Sequence, residues 1–404
     1  MVFQSGLQLM ILNLRLLDLY GFNPLLYDVE RKKFVERRQS KFKVGLVTCI
    51  VITVVLNGIH TITFSPVGML SSSKKVFISA FVIGWSTGFM AVFPLLVDPR
   101  TYVDLMNMLM EFEQGYLNTI DCPNSRVQRW QYRVKLCSLA ATLVSTAGPI
   151  TQFAIILYQS KIPSFLGSIS VNIESSWGHW IIFAVSLVLQ AFLAAGVPVA
   201  FSIMVGPVCS GTLLSVAGYL SCLTKSHILQ QFKYTDNLDT AVKLYKELSV
   251  LVGQINLCFR QLVLPAILMY AISVNILGAY LTIKFNEELF SNIGNLLLPL
   301  LALETFVVIM GLGTTAGFVN KASKKTTAKL KVGMYDVVRQ NGKDMTCLRR
   351  TINACCPMKI RFGSNFVDIL APLISKSVPV EDLSNSSEAS FPNEGNGNGT
   401  DSIP

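Results

Sequence analysis

Six stretches of this chain are too long, too apolar and too poor in charge to be covered by water. Residues 44–64, 76–97, 136–158, 261–283 and 293–317 each supply about the 20 apolar residues that a helix needs to cross hydrocarbon. The sixth stretch, 178–222, is about twice that length and carries Gly196, Pro198, Gly206 and Pro207. It reads either as one span with an apolar extension beyond the membrane, or as two spans turning tightly at Gly206 and Pro207. Only 14% of the 404 residues are charged, where soluble domains carry roughly 25%, and the mean hydropathy is +0.49. Too few charges remain to coat a soluble surface. The expected fold class is therefore all-α: a polytopic membrane bundle of six clear spans, with a short degenerate candidate for a seventh. An ordinary cytosolic enzyme, a secreted disulfide scaffold and a disordered chain are excluded.

The 34 Lys and Arg residues give the orientation. With the amino terminus in the cytosol and 178–222 taken as one span, only Lys74, Lys75, Lys161 and Lys284 fall outside. All the others lie on the inner side, as the positive-inside rule requires. Splitting the long run sends the last twelve outwards. The net charge of +10 thus reports topology, and the partner it implies is a lipid bilayer rather than nucleic acid. The expected location is the plasma membrane, multi-pass, with the amino terminus cytosolic. None of the nine cysteines falls in an expected outer loop, so no exofacial disulfide is expected. Cys355 and Cys356 lack a second pair or a histidine at zinc spacing, and neither metal nor cofactor is expected.

Four regions follow. Residues 1–43 form a cytosolic segment in which Leu7, Met10, Ile11, Leu14 and Leu17 recur at helical spacing. That helix either lies on the inner membrane surface or packs in the cytosol. It is broken by Arg15 and Asp18 and has no basic stretch before it, unlike a cleavable leader. Residues 44–317 form the bundle, including a cytosolic helical extension at 224–260. There Val242, Tyr245, Leu248, Val250, Leu251 and Ile255 give an apolar face, and the helix is expected to run straight into the fifth span. Residues 318–378 form a basic cytosolic segment that ends in the short apolar run 366–374, the degenerate seventh helix. Residues 379–404, rich in Ser, Asn, Gly and Glu, read as disorder.

No catalytic signature is present. His60, His179 and His227 sit on different elements, and no Walker loop, HExxH or GxSxG occurs, so an enzyme is not expected. Glu304 is the one acid well inside a span. A carboxylate at the bilayer centre costs on the order of 3 kcal/mol, so it faces a cavity or ion pathway, or is held against Ser273 or Asn275. Gly311, Gly313 and Gly317 suit close helix packing. Aromatic residues gather in the outer halves of the spans. Phe153, Tyr158, Trp180, Phe183 and Tyr280, with Gln152, His179, Gln190 and Asn275 as sparse polar contacts, form a candidate pocket for a small ligand. An interfacial belt accounts for part of the same pattern. Trp85, Phe89 and Phe93, at helical spacing, read as packing residues.

Three segments resemble the arthropod odorant and gustatory receptor superfamily. Residues 16–24, Leu-Leu-Asp-Leu-Tyr-Gly-Phe-Asn-Pro, look like the turn before its first span. Residues 245–256, Tyr-Lys-Glu-Leu-Ser-Val-Leu-Val-Gly-Gln-Ile-Asn, running on to Phe259 and Pro265, look like its cytosolic anchor. Residues 356–366, Cys-Pro-Met-Lys-Ile-Arg-Phe-Gly-Ser-Asn-Phe, look like the segment before its last helix. The resemblance implies a chemosensory, ligand-gated cation channel, tetrameric as a homo- or hetero-oligomer with a co-receptor subunit. It implies subunit contacts through the anchor, for which Tyr245, Leu248, Leu251 and Ile255 are candidates. It implies a small apolar ligand held in the outer half of the bundle. The chain departs from the family after Phe366, where the Thr-Tyr and Gln-Phe signature of the pore helix is absent. Two other classes fit the spans: a proton-coupled small-molecule transporter working through Glu304, and a G-protein-coupled receptor of opposite orientation.

Overall fold

Backbone groups in lipid must find hydrogen-bond partners within their own segment, and every uncharged run is accordingly helical. The computed structural model describes residues 2–21, 23–37, 40–64, 72–115, 124–158, 177–226, 235–284, 293–341, 346–363 and 365–366. The helices are α1 (Leu7–Leu19), α2 (Lys41–Phe64), α3 (Ser72–Val97), α4 (Pro99–Gly115), α5 (Asn124–Tyr158), α6 (Trp177–Ile203), α7 (Gly211–Lys225), α8 (Thr235–Phe259), α9 (Val263–Lys284), α10 (Ile293–Asn341) and α11 (Thr346–Asn353). Two small antiparallel hairpins join them, β1 (Leu25–Asp28) with β2 (Lys33–Glu36) and β3 (Arg361–Phe362) with β4 (Asn365–Phe366). The protein is a helical membrane bundle. Among the described residues, six helical rods are long and apolar enough to cross a bilayer. The expected seventh helix beyond Phe366, the tail 379–404 and His227 lie outside the described residues.

The run 178–222 does not turn at Gly206 and Pro207. It is one rod: α6, a π-helical stretch Met204–Ser210, then α7. Pro207 has no N–H and its ring crowds the preceding turn, and widening the helix absorbs both. Side chains add bonds along the widened stretch: Ser210 Oγ donates to Val205 O at 2.6 Å, and Cys137 Sγ to Gly206 O at 3.7 Å, which also takes the Gly211 N–H. At 1.5 Å per residue the rod is about 70 Å long, more than twice the hydrocarbon thickness. Its surplus length is wrapped in protein. Of its membrane-length window, 83% is buried, against 22–50% in the other five rods.

Four further expectations are corrected. The cytosolic extension and the fifth span are two helices, because Pro265 in the first turn of α9 would clash with the Gln261 carbonyl in a continuous one. α10 does not end at Gly317. It runs through the lysine-rich 321–331 because Ala322, Lys324, Lys325, Ala328 and Lys329 are strong helix formers, and Leu330, Met334 and Val337 bury one face. Val250 does not belong to the apolar face of α8; it is 59% exposed while Tyr245, Leu248, Leu251 and Ile255 are at 2% or less. Gly311 and Gly317 are not packing glycines within this chain, since a Cβ at either would meet nothing within 4 Å.

The amino-terminal helix settles into protein. Met10, Leu14 and Leu17 of α1 are buried against the bundle, chiefly α5 and α6. The helix ends where Gly21 takes φ +68°, and its N–H caps the Asp18 carbonyl at 2.9 Å. The stretches 98–115 and 124–133 are likewise helical for nearly all their length. Pro99 opens α4, and Tyr102, Leu105, Met106, Leu109 and Phe112 bury one face of it against β2 and α8.

Candidate functional site

A cavity of about 320 Å³ opens among α3, α5, α6, α9 and α10, in the half of the bundle remote from α4 and α8. Missing side chains make it. Gly84 and Gly88 of α3 and Gly148 of α5 all line it. A Cβ added at each would come no nearer than 3.7 Å to Tyr270, 4.0 Å to Phe201 and 3.9 Å to Pro198 respectively. Phe81 and Trp85 follow the same face of α3 as the two glycines, and Phe201 and Tyr270 meet edge-to-face at 5.1 Å and 71°. The walls are thus four aromatic rings with aliphatic fill.

Among the described residues, Glu304 of α10 is the only charged one in the lining. Ser273 does not line the cavity, and Asn275 donates Nδ2 to the Ala302 carbonyl at 2.9 Å, tying α9 to α10 rather than bonding Glu304. Among the described residues no lysine, arginine or histidine pairs with Glu304. The lining hydroxyl of Thr151 is spent on the Ala147 carbonyl at 2.9 Å. The described lining therefore presents aromatic faces, the Tyr270 phenol and one carboxyl group.

The other site residues expected from sequence are spread over the bundle. Trp180 and Phe183 face each other at 6.4 Å on α6, with Trp180 exposed. Tyr280 is exposed on α9 and Gln190 is buried on α6, and neither is part of the lining. The side chains of Gln152, Phe153, Tyr158 and His179 lie outside the described residues. Trp85, read as packing, is buried in the core and also forms part of the cavity wall. The signal was its spacing from Gly84 and Gly88, which is legible only when α3, α6 and α9 are known to meet.

At the opposite end a second carboxyl group holds the fold together. Glu113 of α4 is buried and accepts the Phe3 N–H at 2.5 Å, the Gln4 N–H at 3.0 Å and the Tyr219 hydroxyl at 2.8 Å. Burial raises its carboxyl above the ordinary value, against the pull of these three donors. Nearby, the four candidate anchor residues of α8 are all buried within their own chain. Their periodicity matches a face packed inside the chain. Tyr245 Oη lies 2.7 Å from Ser323 Oγ of α10 and 2.8 Å from the Cys356 carbonyl, and burial pushes its phenol up to about 12. Ser323 Oγ accepts the Met358 N–H at 2.6 Å, and Asn256 bonds Lys359 and Arg361. The segment after α11 is thereby laced to α8 and α10.

These features define a class: a multi-span helical membrane protein with a partly open, aromatic-walled cavity and a densely bonded opposite end. The sequence profile of the 7tm chemosensory receptor family matches residues 11–331, and the chain belongs to that family. Its structure is similar to that of the insect olfactory receptor OR5 from Machilis hrabei, with a TM-score of 0.60 at 16% identity, covering 90% of this chain and 93% of that one. The same receptor in complex with eugenol gives a TM-score of 0.59 at 15% identity, covering 93% and 96%. No curated protein matches the sequence.

Proposed function

We propose that the chain is a chemosensory receptor subunit of ligand-gated cation-channel type, with a small, largely apolar molecule occupying the cavity. The observation that carries this reading is the cavity itself: about 320 Å³ of aromatic-walled space in a chain of a chemosensory family. That volume lies at the lower end of the roughly 300–1,000 Å³ of small-molecule sites. The eugenol complex of OR5 supports a small aromatic ligand for the shared fold. A ligand that fits the open arrangement of the five helices better than the closed one shifts the balance by that difference. In this reading the amino terminus is cytosolic, the receptor sits in the plasma membrane, and the cavity opens in the outward half. The assembly is a tetramer with a co-receptor subunit.

The test is whole-cell recording from cells that express the chain with a partner channel subunit. Phenethyl alcohol or a similar small aromatic evokes a cation current, and Gly84→Trp, which fills the cavity, abolishes it at unchanged surface expression. A current indifferent to Gly84→Trp would sink the cavity assignment. A proton-coupled transporter is the second reading, favoured by Glu304 in the lining. A current evoked by a neutral ligand that survives Glu304→Gln counts against it. Protease protection of an amino-terminal tag checks the orientation.

A further inference from the structure

We infer that the cavity selects ligands carrying a protonated amine, held by Glu304 within the aromatic walls. This inference rests on the reading of the cavity as the ligand site and names the ligand's chemical class. Three observations converge on it. Among the described residues Glu304 is the sole charged one in the lining, and its side chain is exposed. No cation among the described residues neutralises it. The rings of Phe81, Trp85, Phe201 and Tyr270 surround the same space, and ring faces attract cations.

The alternatives fit less well. A carboxylate or phosphate ligand meets no positive group in the lining and faces a like charge. A purely hydrocarbon ligand removes water from Glu304 and gives nothing back, leaving a polar group stranded in an apolar shell. An ammonium group supplies both the countercharge and the donors, while its organic stem covers Trp85 and Phe201. The complex then holds one shared proton between carboxyl and amine in a charge-assisted hydrogen bond. The cavity volume of about 320 Å³ suits a single ring with a short aminoalkyl arm.

The experiment measures binding to the full-length receptor in lipid nanodiscs at neutral pH by thermal shift. The probes are phenethylamine, phenethyl alcohol and phenylacetate, which share one ring and differ in charge. The amine is expected to bind about tenfold tighter than the alcohol, with phenylacetate weakest. Glu304→Gln is expected to remove that margin while leaving the alcohol's affinity in place, and Glu304→Asp to keep much of it. Equal affinity for amine and alcohol in the unmodified chain overturns the inference, and this comparison needs no variant to fold. A margin that persists in Glu304→Gln overturns it too. Alcohol binding that is lost in Gly84→Trp, with no amine margin, overturns the amine assignment alone. Absence of binding by all three probes overturns the cavity reading with it.

Discussion

Around α7, glycine brings helices into contact; around the cavity, it keeps them apart. A Cβ on Gly206 would lie 2.4 Å from the Cβ of Ala141 on α5, and one on Gly218 would lie 3.1 Å from the Trp130 ring. A Cβ on Gly84, Gly88 or Gly148 would find ordinary contact distance or more. Carboxyl groups divide in the same way. Glu113 is buried with three donors, while Glu304 faces the cavity with no described cation beside it. At one end the glycines and Glu113 are closed in by their neighbours; at the cavity the glycines and Glu304 are left open. The same residue type therefore has opposite meaning at the two ends, and local sequence does not distinguish them.

The contrast is open to direct attack. The largest effect is expected from Glu113→Ala, which orphans two backbone N–H groups and the Tyr219 hydroxyl. At about 1–3 kcal/mol per buried orphan, the variant is expected to lose about 3 kcal/mol or more, read as a collapsed melting temperature in detergent. Next comes Gly206→Val, whose side chain must displace α5. A loss of about 2–3 kcal/mol is expected, and a variant that melts with the unmodified chain would contradict the close packing. Acidity probes the same closed half. The folded chain holds the Glu113 proton more tightly than the unfolded chain, because burial raises that carboxyl. Its stabilisation is thus full below the ordinary carboxyl pKa and is lost as pH rises through the raised folded value. A melting series across mildly acidic pH is expected to slope downwards, and to flatten in Glu113→Gln.

Smaller effects sharpen the boundary. Tyr245→Phe removes the hydroxyl that joins Ser323 to the Cys356 carbonyl and is expected to cost about 1 kcal/mol. Faster proteolysis of the segment after α11 would report the same loss. Gly84→Ala is expected to change stability by no more than about 0.5 kcal/mol, since its Cβ meets Tyr270 at 3.7 Å. A marked destabilisation there would show that the open half is packed as tightly as the closed one.

Much of the architecture was legible because membrane spans announce themselves by length and lack of charge. The ends of helices were not. α10 outruns Gly317 and α5 starts well before Leu136, since these extensions carry lysines and arginines that a hydropathy reading treats as a boundary. The break before α9 was written in Pro265 but overruled by the continuous apolar pattern. Glu304 stood out in the sequence by its cost in lipid, and it does line the cavity. Trp85 and Tyr270 did not stand out, because which face of a helix looks into a void depends on the neighbours that leave it. Glu113 was invisible for the same reason: its donors come from Phe3, Gln4 and Tyr219, far away in the chain.

The 49 residues of α10 form one continuous helix that links the two ends of the bundle. Leu300, Leu301 and Glu304 sit at its cavity end, and Ser323 grips the Met358 amide about 28 Å further along. A tilt of about 5° pivoting near Glu304 would swing Ser323 by about 2 Å, comparable with the small helix displacements that throw molecular switches. One helix thus joins the acid at the cavity to the strand of chain that leads towards Phe366.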